Sequence, residues 1–347
     1  MLAGDNEMTK ASGTKETLSA VAQAHRRLME SANERQKCEA SEHGLRKQSL
    51  RAYCRRLVLI LAAAVLLSAS VMAHPGAGIA VDRLGQVYFL DTGSGLWKID
   101  AHGGLTHLSG TLFHWLALDE NNRFANTQLP SGTLGEILKI GTSPTVLISS
   151  DYPIAIGQDG NLYYPYGSAG NLRIMRMTPS GAKSVVATLP KTVKAEPLPH
   201  IGGIVAGLDG SLYYTEDTAI RMTNAQGRVS TVATVRALVN GPTIPATDQH
   251  PYLRGLAVDA RGVMYVADSG DARVLKITRD RKITTLVQTQ SPWSPTAVTL
   301  FGSDVYVLEF LHTTRDVRRD WLPRIRKIAS DGKSTIIATI DQMPGAR

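Results

Sequence analysis

The sequence predicts an all-β fold, a six-bladed β-propeller preceded by an N-terminal tail and one hydrophobic helix. Three observations carry that prediction. Residues 253–288, LRGLAVDARGVMYVADSGDARVLKITRDRKITTLVQ, hold four short β-rich runs separated by turn residues such as Arg261-Gly262 and Ser269-Gly270-Asp271. Runs of that kind read as an antiparallel meander. The unit recurs: with Gly262 as anchor, equivalent positions fall at Gly85, Asn122, Gly160, Gly210 and Ser303, spaced 37 to 52 residues apart. One such sheet cannot bury both faces alone, and this is the repeat length of a propeller blade. An aromatic also recurs at the centre of the second strand (Tyr88, Tyr163, Tyr213, Tyr265, Tyr306), where it fits between neighbouring blades.

The blades follow in order along the chain. First strands GIAVD, WLALD, PIAIG and GGIVAG precede the first four anchors, and second strands VYFLD, FANTQ, LYYPY, LYYTE, MYVAD and VYVLE follow all six. STIIATI (334–340) is the outer strand of the last blade and GIAVD (78–82) the inner strand of the first. No strand is then exchanged at the closure, which makes that seam the expected weak point. A domain of about 270 residues buries enough of its surface to need no covalent staple.

Ahead of the blades, residues 1–56 are polar, with 11 Lys and Arg against 7 Asp and Glu. Their one amphipathic stripe (Leu18, Val21, His25, Leu28, Ala32) is weak, so a cytoplasmic tail or extended leader is expected. Residues 57–73 carry no charge, follow Arg51, Arg55 and Arg56, and precede a stretch without Lys or Arg until Arg83. That bias sets the N-terminus in the cytoplasm and residues 74–347 across the membrane, periplasmic or extracellular. Both an uncleaved transmembrane anchor and a signal peptide cut after Val71-Met72-Ala73 fit the segment. Cys38 and Cys54 both precede it, so the blades carry no thiol to mispair in an oxidising compartment. Cys-x-x-Cys metal sites are excluded. The blades hold 27 cations against 23 anions, which is no nucleic-acid footprint. Gly-x-Ser-x-Gly, His-Glu-x-x-His and phosphate-loop motifs are absent from the sequence.

GLAVDARGVMYVADSGDARVLKI resembles an NHL repeat, and GIAVDRLGQVYFLDTGSGLWKI resembles a second. NGPTIPATDQHPYL is similar to the connector that leads into such repeats. The likeness covers roughly residues 76 to 340 and is strongest in blades 1 and 5. It implies a propeller of the kind that bacterial membrane proteins, including receptor Ser/Thr kinases, present outside the cell. Gluconolactonase-like propellers share the architecture, and that resemblance would imply a channel metal held by a Glu of the first inner strand and by later Asn and Asp. Here GAGIAVD has no Glu, and PIAIG and GGIVAG have no Asn or Asp. Propeller lyases that cleave peptidyl-hydroxyglycine with histidine-bound zinc imply a different ligand set.

In such rings the loops leading into the inner strands and those joining strands two and three share one face. His74, His114, Tyr152, His200, His250, Arg254 and Trp293 occupy these positions. His114, His200 and His250 are the expected ligands of a divalent metal, zinc or calcium. Tyr152 would be its acid or base and Arg254 an oxyanion partner. The acids ending second strands, Asp91, Glu216, Asp268 and Glu309, invite a calcium reading, although a carboxylate at a turn is also a structural cap. The insertion HTTRDVRRDWLPRIRK (312–327) should overhang the same face. Its Arg315, Arg318, Arg319, Trp321 and Arg324, with Trp293, suit an anionic or sugar-like small molecule, a glycan or a protein partner. The expected function is an extracytoplasmic binding or sensing module. The alternative is a metal-dependent lyase or hydrolase.

Overall fold

The computed structural model describes residues 76–109, 113–127, 136–139, 144–150, 152–168, 171–189, 201–236, 253–311 and 322–340, together with Met29. The apolar segment 57–73 lies outside them. No helix among the described residues is long and apolar enough to cross a membrane. Everything described except Met29 belongs to the unit Ala73–Arg347.

Five sheets are four-stranded meanders, with strands adjacent in chain order. Blade 1 is β1 (Ile79–Val81), β2 (Val87–Asp91), β3 (Gly95–Ile99) and β4 (Leu105–Ser109). Blade 2 contributes β5 (Trp115–Asp119), β6 (Glu136–Lys139) and β7 (Thr145–Ser149). Blade 3 is β8 (Ala155–Ile156), β9 (Leu162–Ser168), β10 (Asn171–Met177) and β11 (Lys183–Thr188). Blade 4 is β12 (Ile201–Ala206), β13 (Leu212–Glu216), β14 (Ala219–Thr223) and β15 (Val229–Thr234). Blade 5 is β16 (Leu253–Val258), β17 (Met264–Asp268), β18 (Arg273–Ile277) and β19 (Ile283–Gln288). Blade 6 is β20 (Trp293–Phe301), β21 (Asp304–Leu311), β22 (Pro323–Ile328) and β23 (Ser334–Thr339). The protein is an all-β propeller. The inner strands touch in a cycle: β1 meets β5, β5 meets β8, then β12, β16, β20 and β1 again.

Six like blades were expected, and five are found. The second sheet is three-stranded in the order β5-β7-β6. Of FANTQ, expected as its second strand, residues 124–127 lie in a run of turns instead, with Phe124 fully buried and its N–H donating to Asp119 Oδ2 at 2.7 Å. TVLIS takes the place beside β5, Leu116 opposite Ile148, and is buried along its whole length. The reason is composition. Ala-Asn-Thr-Gln offers one β-branched residue and little to bury, whereas Thr-Val-Leu-Ile suits a strand covered on both faces.

In blades 1, 2 and 5 the turn after the first strand is fixed locally by one device. An Asp ending the first strand accepts from the turn: Asp82 from the N–H groups of Leu84 (3.0 Å) and Gln86 (2.8 Å), and Asp259 from those of Arg261 (2.9 Å) and Val263 (2.8 Å). The anchors then take left-handed backbone, as at Gly262 (φ 77°) and even Asn122 (φ 54°). In blade 6 this conformation falls on Gly302 (φ 61°), one residue ahead of the expected Ser303, because a two-residue turn joins Phe301 to Asp304. The insertion is likewise shorter than expected, since Pro323–Ile328 form β22.

No strand is exchanged between blades 6 and 1, as expected. The seam nonetheless holds a continuous apolar cluster, in which Ile79, Val87 and Phe89 pack with Ala297, Leu308 and Phe310. Across it the buried Thr296 hydroxyl donates to Gly76 O at 2.7 Å.

Candidate functional site

Antiparallel register places the end of every second strand beside the start of an inner strand. Ile201 lies opposite Glu216, Leu253 opposite Asp268, and Pro295 opposite Glu309. Acidic strand ends and lead-in residues therefore share one face of the ring.

Most charge on this face is paired by a repeated arrangement, an acid ending strand two and an arginine on strand three. In blade 4, Arg221 Nε donates to Glu216 at 2.8 Å. In blade 5, Arg273 Nε donates to fully buried Asp268 at 2.8 Å, and its Nη2 reaches Asp271 (3.1 Å) and Arg236 O (3.0 Å). Burial pushes the Asp268 carboxyl above its usual value, and Arg273 opposes that only in part. In blade 6, buried Glu309 takes both Arg324 Nε (2.6 Å) and Arg326 Nε. Arg326 continues to Ser334 Oγ at 2.8 Å. Arg324 also lies 4.0 Å over the Trp293 ring, and burial lowers its guanidinium pKa despite the Glu309 carboxylate beside it. Blade 1 has no arginine at this place. Asp91 instead accepts from Gly93 N–H (2.9 Å) and the Ser94 hydroxyl, which in turn accepts from Trp97 Nε1 (2.8 Å).

The acids thus sit in structural pairs, and the charges do not cancel blade by blade. Two carboxylates share one guanidinium in blade 5. Two guanidinia share one carboxylate in blade 6, beside a flat indole.

The side towards blades 2 and 3 is aromatic. Tyr152 stacks on Tyr164 with centroids 5.4 Å apart. The edge of the His114 ring meets Trp115, whose Nε1 donates to Gly202 O of blade 4 at 3.3 Å. That indole spans from one inner strand to another two blades on. His114 Nδ1 is 2.8 Å from Ser150 O. A carbonyl only accepts, so Nδ1 is the donor in this contact. Ser149 Oγ is buried without a hydrogen-bond partner. Ser149→Ala should therefore raise stability by about 1 kcal/mol, read as a higher urea midpoint with unchanged slope.

Of the expected site residues, Trp293 and Arg324 come together, while His114 and Tyr152 belong to the blade 2–3 side and Arg254 to β16 of blade 5. The Arg254 carbonyl accepts from Thr215 Oγ1 at 2.9 Å, tying blade 5 to blade 4. His200, His250, Arg315, Arg318, Arg319 and Trp321 lie outside the described residues. Among those described, no three His, Cys, Asp or Glu gather as a metal-ligand set. Sequence reasoning missed the arginine partners of Glu216 and Asp268, although both arginines stand five residues after their acid. In blade 6 the 312–321 insertion hides that spacing. No sequence signal marks Trp115 as the residue that reaches Gly202.

No known sequence family matches this chain, and no curated protein does. Solved structures of similar chain path include virginiamycin B lyase from Staphylococcus aureus, 17% identical over 76% of this chain and 83% of that one, TM-score 0.44. A protein assigned as a gluconolactonase is 13% identical over 78% and 81%, TM-score 0.41. The calcium-binding protein regucalcin from Agrobacterium tumefaciens is 13% identical over 67% and 81%, TM-score 0.42. At this distance in sequence, residue roles must come from this chain's own side chains.

Proposed function

We propose that this protein is an extracytoplasmic, NHL-like recognition module. In this reading the three-stranded sheet fills the second of six positions in the ring, and a small anionic ligand is met on the face where the second strands end. The observation that supports it is the blade 6 cluster. Two guanidinia on one buried carboxylate leave a net positive charge, held rigidly and stacked on Trp293. A carboxylate-bearing sugar suits both parts, with its anion against the arginines and its ring against the indole.

The test is binding of glucuronate and of glucose to the full chain by calorimetry. Glucuronate should bind at least tenfold more tightly than glucose, and Trp293→Ala or Arg324→Met should remove that preference. Equal binding of the two sugars, or none, would defeat the reading.

One observation favours a lyase or hydrolase as the second reading: His114, an expected metal ligand, stands at the start of an inner strand on this same face, its ring oriented by the Nδ1 contact with Ser150 O. A divalent metal there would act as a Lewis acid. Stoichiometric zinc in the purified protein, lost in His114→Ala, would promote this reading over the first.

A further inference from the structure

At the other end of the ring, where strands one and two and strands three and four are joined, a cleft of about 290 Å³ opens between blades 4 and 5. Its size is near the lower limit of small-molecule pockets, about 300–1,000 Å³. Met222, Met264 and Val258 supply apolar wall, Tyr213 a phenol, and Arg279 and Arg281 the charge. The seam between blades 6 and 1 and the seam between blades 2 and 3 are filled at the equivalent place. At the turn glycine Gly85 the neighbouring blade supplies the Phe301 ring, and at Gly160 it supplies Arg123. At Gly262 the nearest atoms belong to Arg279 of the same blade, so the gap towards blade 4 is left uncovered.

The polar groups of the cleft differ in what they have left to offer. Asp209 already accepts from the N–H (3.0 Å) and hydroxyl (3.1 Å) of Ser211. Asp259 accepts from Arg261 and Val263. Burial pushes the Asp259 carboxyl up, but those bonds more than offset it and hold it below the usual carboxylate value. By contrast, Arg279 and Arg281 are exposed, and neither has an ion-pair partner among the described residues. The Tyr88 and Tyr163 hydroxyls donate to Asp82 and Asp159, whereas no described side chain takes the Tyr213 hydroxyl. The acids of the cleft are therefore occupied while its donors are unspent.

We propose that this cleft is a second ligand site, for a small organic anion whose flat apolar body lies against Met222 and Met264 while its carboxylate or phosphate meets Arg279 and Arg281. The two sulfur side chains are polarizable and adapt to an aromatic face. The site does not depend on the blade 6 cluster, which is on the opposite face.

Equilibrium dialysis of the full chain against benzoate and phenyl phosphate tests it, with benzyl alcohol and inorganic phosphate as partners lacking the charge or the ring. The double variant Arg279→Gln/Arg281→Asn removes the charge while keeping residue 281 tolerant of its left-handed backbone, φ 66°. Lys183→Gln removes a cation elsewhere. At least one aromatic anion should bind the wild type, tenfold or more tightly than either partner molecule. Binding should weaken at least tenfold in the double variant, keep its wild-type strength in Lys183→Gln, and leave the melting temperature of both variants unchanged. Which aromatic anion wins distinguishes a carboxylate ligand from a phosphate. The proposal is overturned if neither aromatic anion binds, if benzyl alcohol binds as well, or if Lys183→Gln weakens binding as much as the double variant.

Discussion

Glu309→Gln is expected to destabilise the propeller by about 3–5 kcal/mol, the cost typical of breaking a buried ion pair from one side. The carboxylate is wholly buried, and Arg324 and Arg326 are only 14% and 15% exposed. Glutamine keeps the volume but leaves two guanidinia facing a neutral amide that offers them one acceptor instead of two. Arg324 keeps Trp293 and Arg326 keeps Ser334, so the loss is in charge compensation rather than packing. The comparison variant is Glu309→Leu/Arg324→Met/Arg326→Met. It removes the charges together, and replacing a buried pair by apolar residues of similar volume is often neutral. Urea midpoints should fall sharply for the single variant and recover most of the way for the triple. A single variant within about 1 kcal/mol of wild type would mean that Glu309 is not the carboxylate holding both arginines.

The repeat was legible because it is written in turn chemistry and alternation, which are local. An Asp, a residue able to take left-handed backbone, and a β-rich run with a central aromatic recur whatever surrounds them. Asn122 shows how local the signal is, since it adopts the anchor's conformation even though no strand follows it. Blade 2 failed where strand choice became a competition between distant segments. FANTQ follows its anchor directly, but TVLIS, more than fifteen residues later, buries more and takes the position. On the candidate face, the sequence groups Trp293 with Arg324, and the two side chains stack on one another. It does not reveal that Glu309 sits beneath the arginine, because only register brings residues fifteen apart into opposition. The contact of Trp115 with Gly202 depends on how narrow the ring is at its axis. Nothing in a strand pattern encodes that distance.

How narrow it is can be tested at one atom. Gly202→Ala is expected to cost about 3 kcal/mol or more, the upper part of the usual overpacking range. A Cβ built on Gly202 would lie 2.4 Å from Leu253 O and 2.9 Å from Arg254 Cα, both backbone atoms of the neighbouring inner strand. Main chain cannot rotate aside as a side-chain tip can, so β12 and β16 would have to separate. That movement would disturb the Thr215 bond to Arg254 O on one side and the Trp115 bond to Gly202 O on the other. The same closeness continues around the axis, since a Cβ on Gly255 would meet Ala297 Cα at 2.8 Å. Gly210→Asn separates space from conformation. Gly210 has nothing within 4 Å of a built Cβ but sits at φ 77°, and asparagine is among the residues that tolerate that region. Its midpoint in urea should stay close to wild type while that of Gly202→Ala falls. If Gly202→Ala instead unfolds with Gly210→Asn, the inner strands have room between them, and the ring is wider than its glycines indicate.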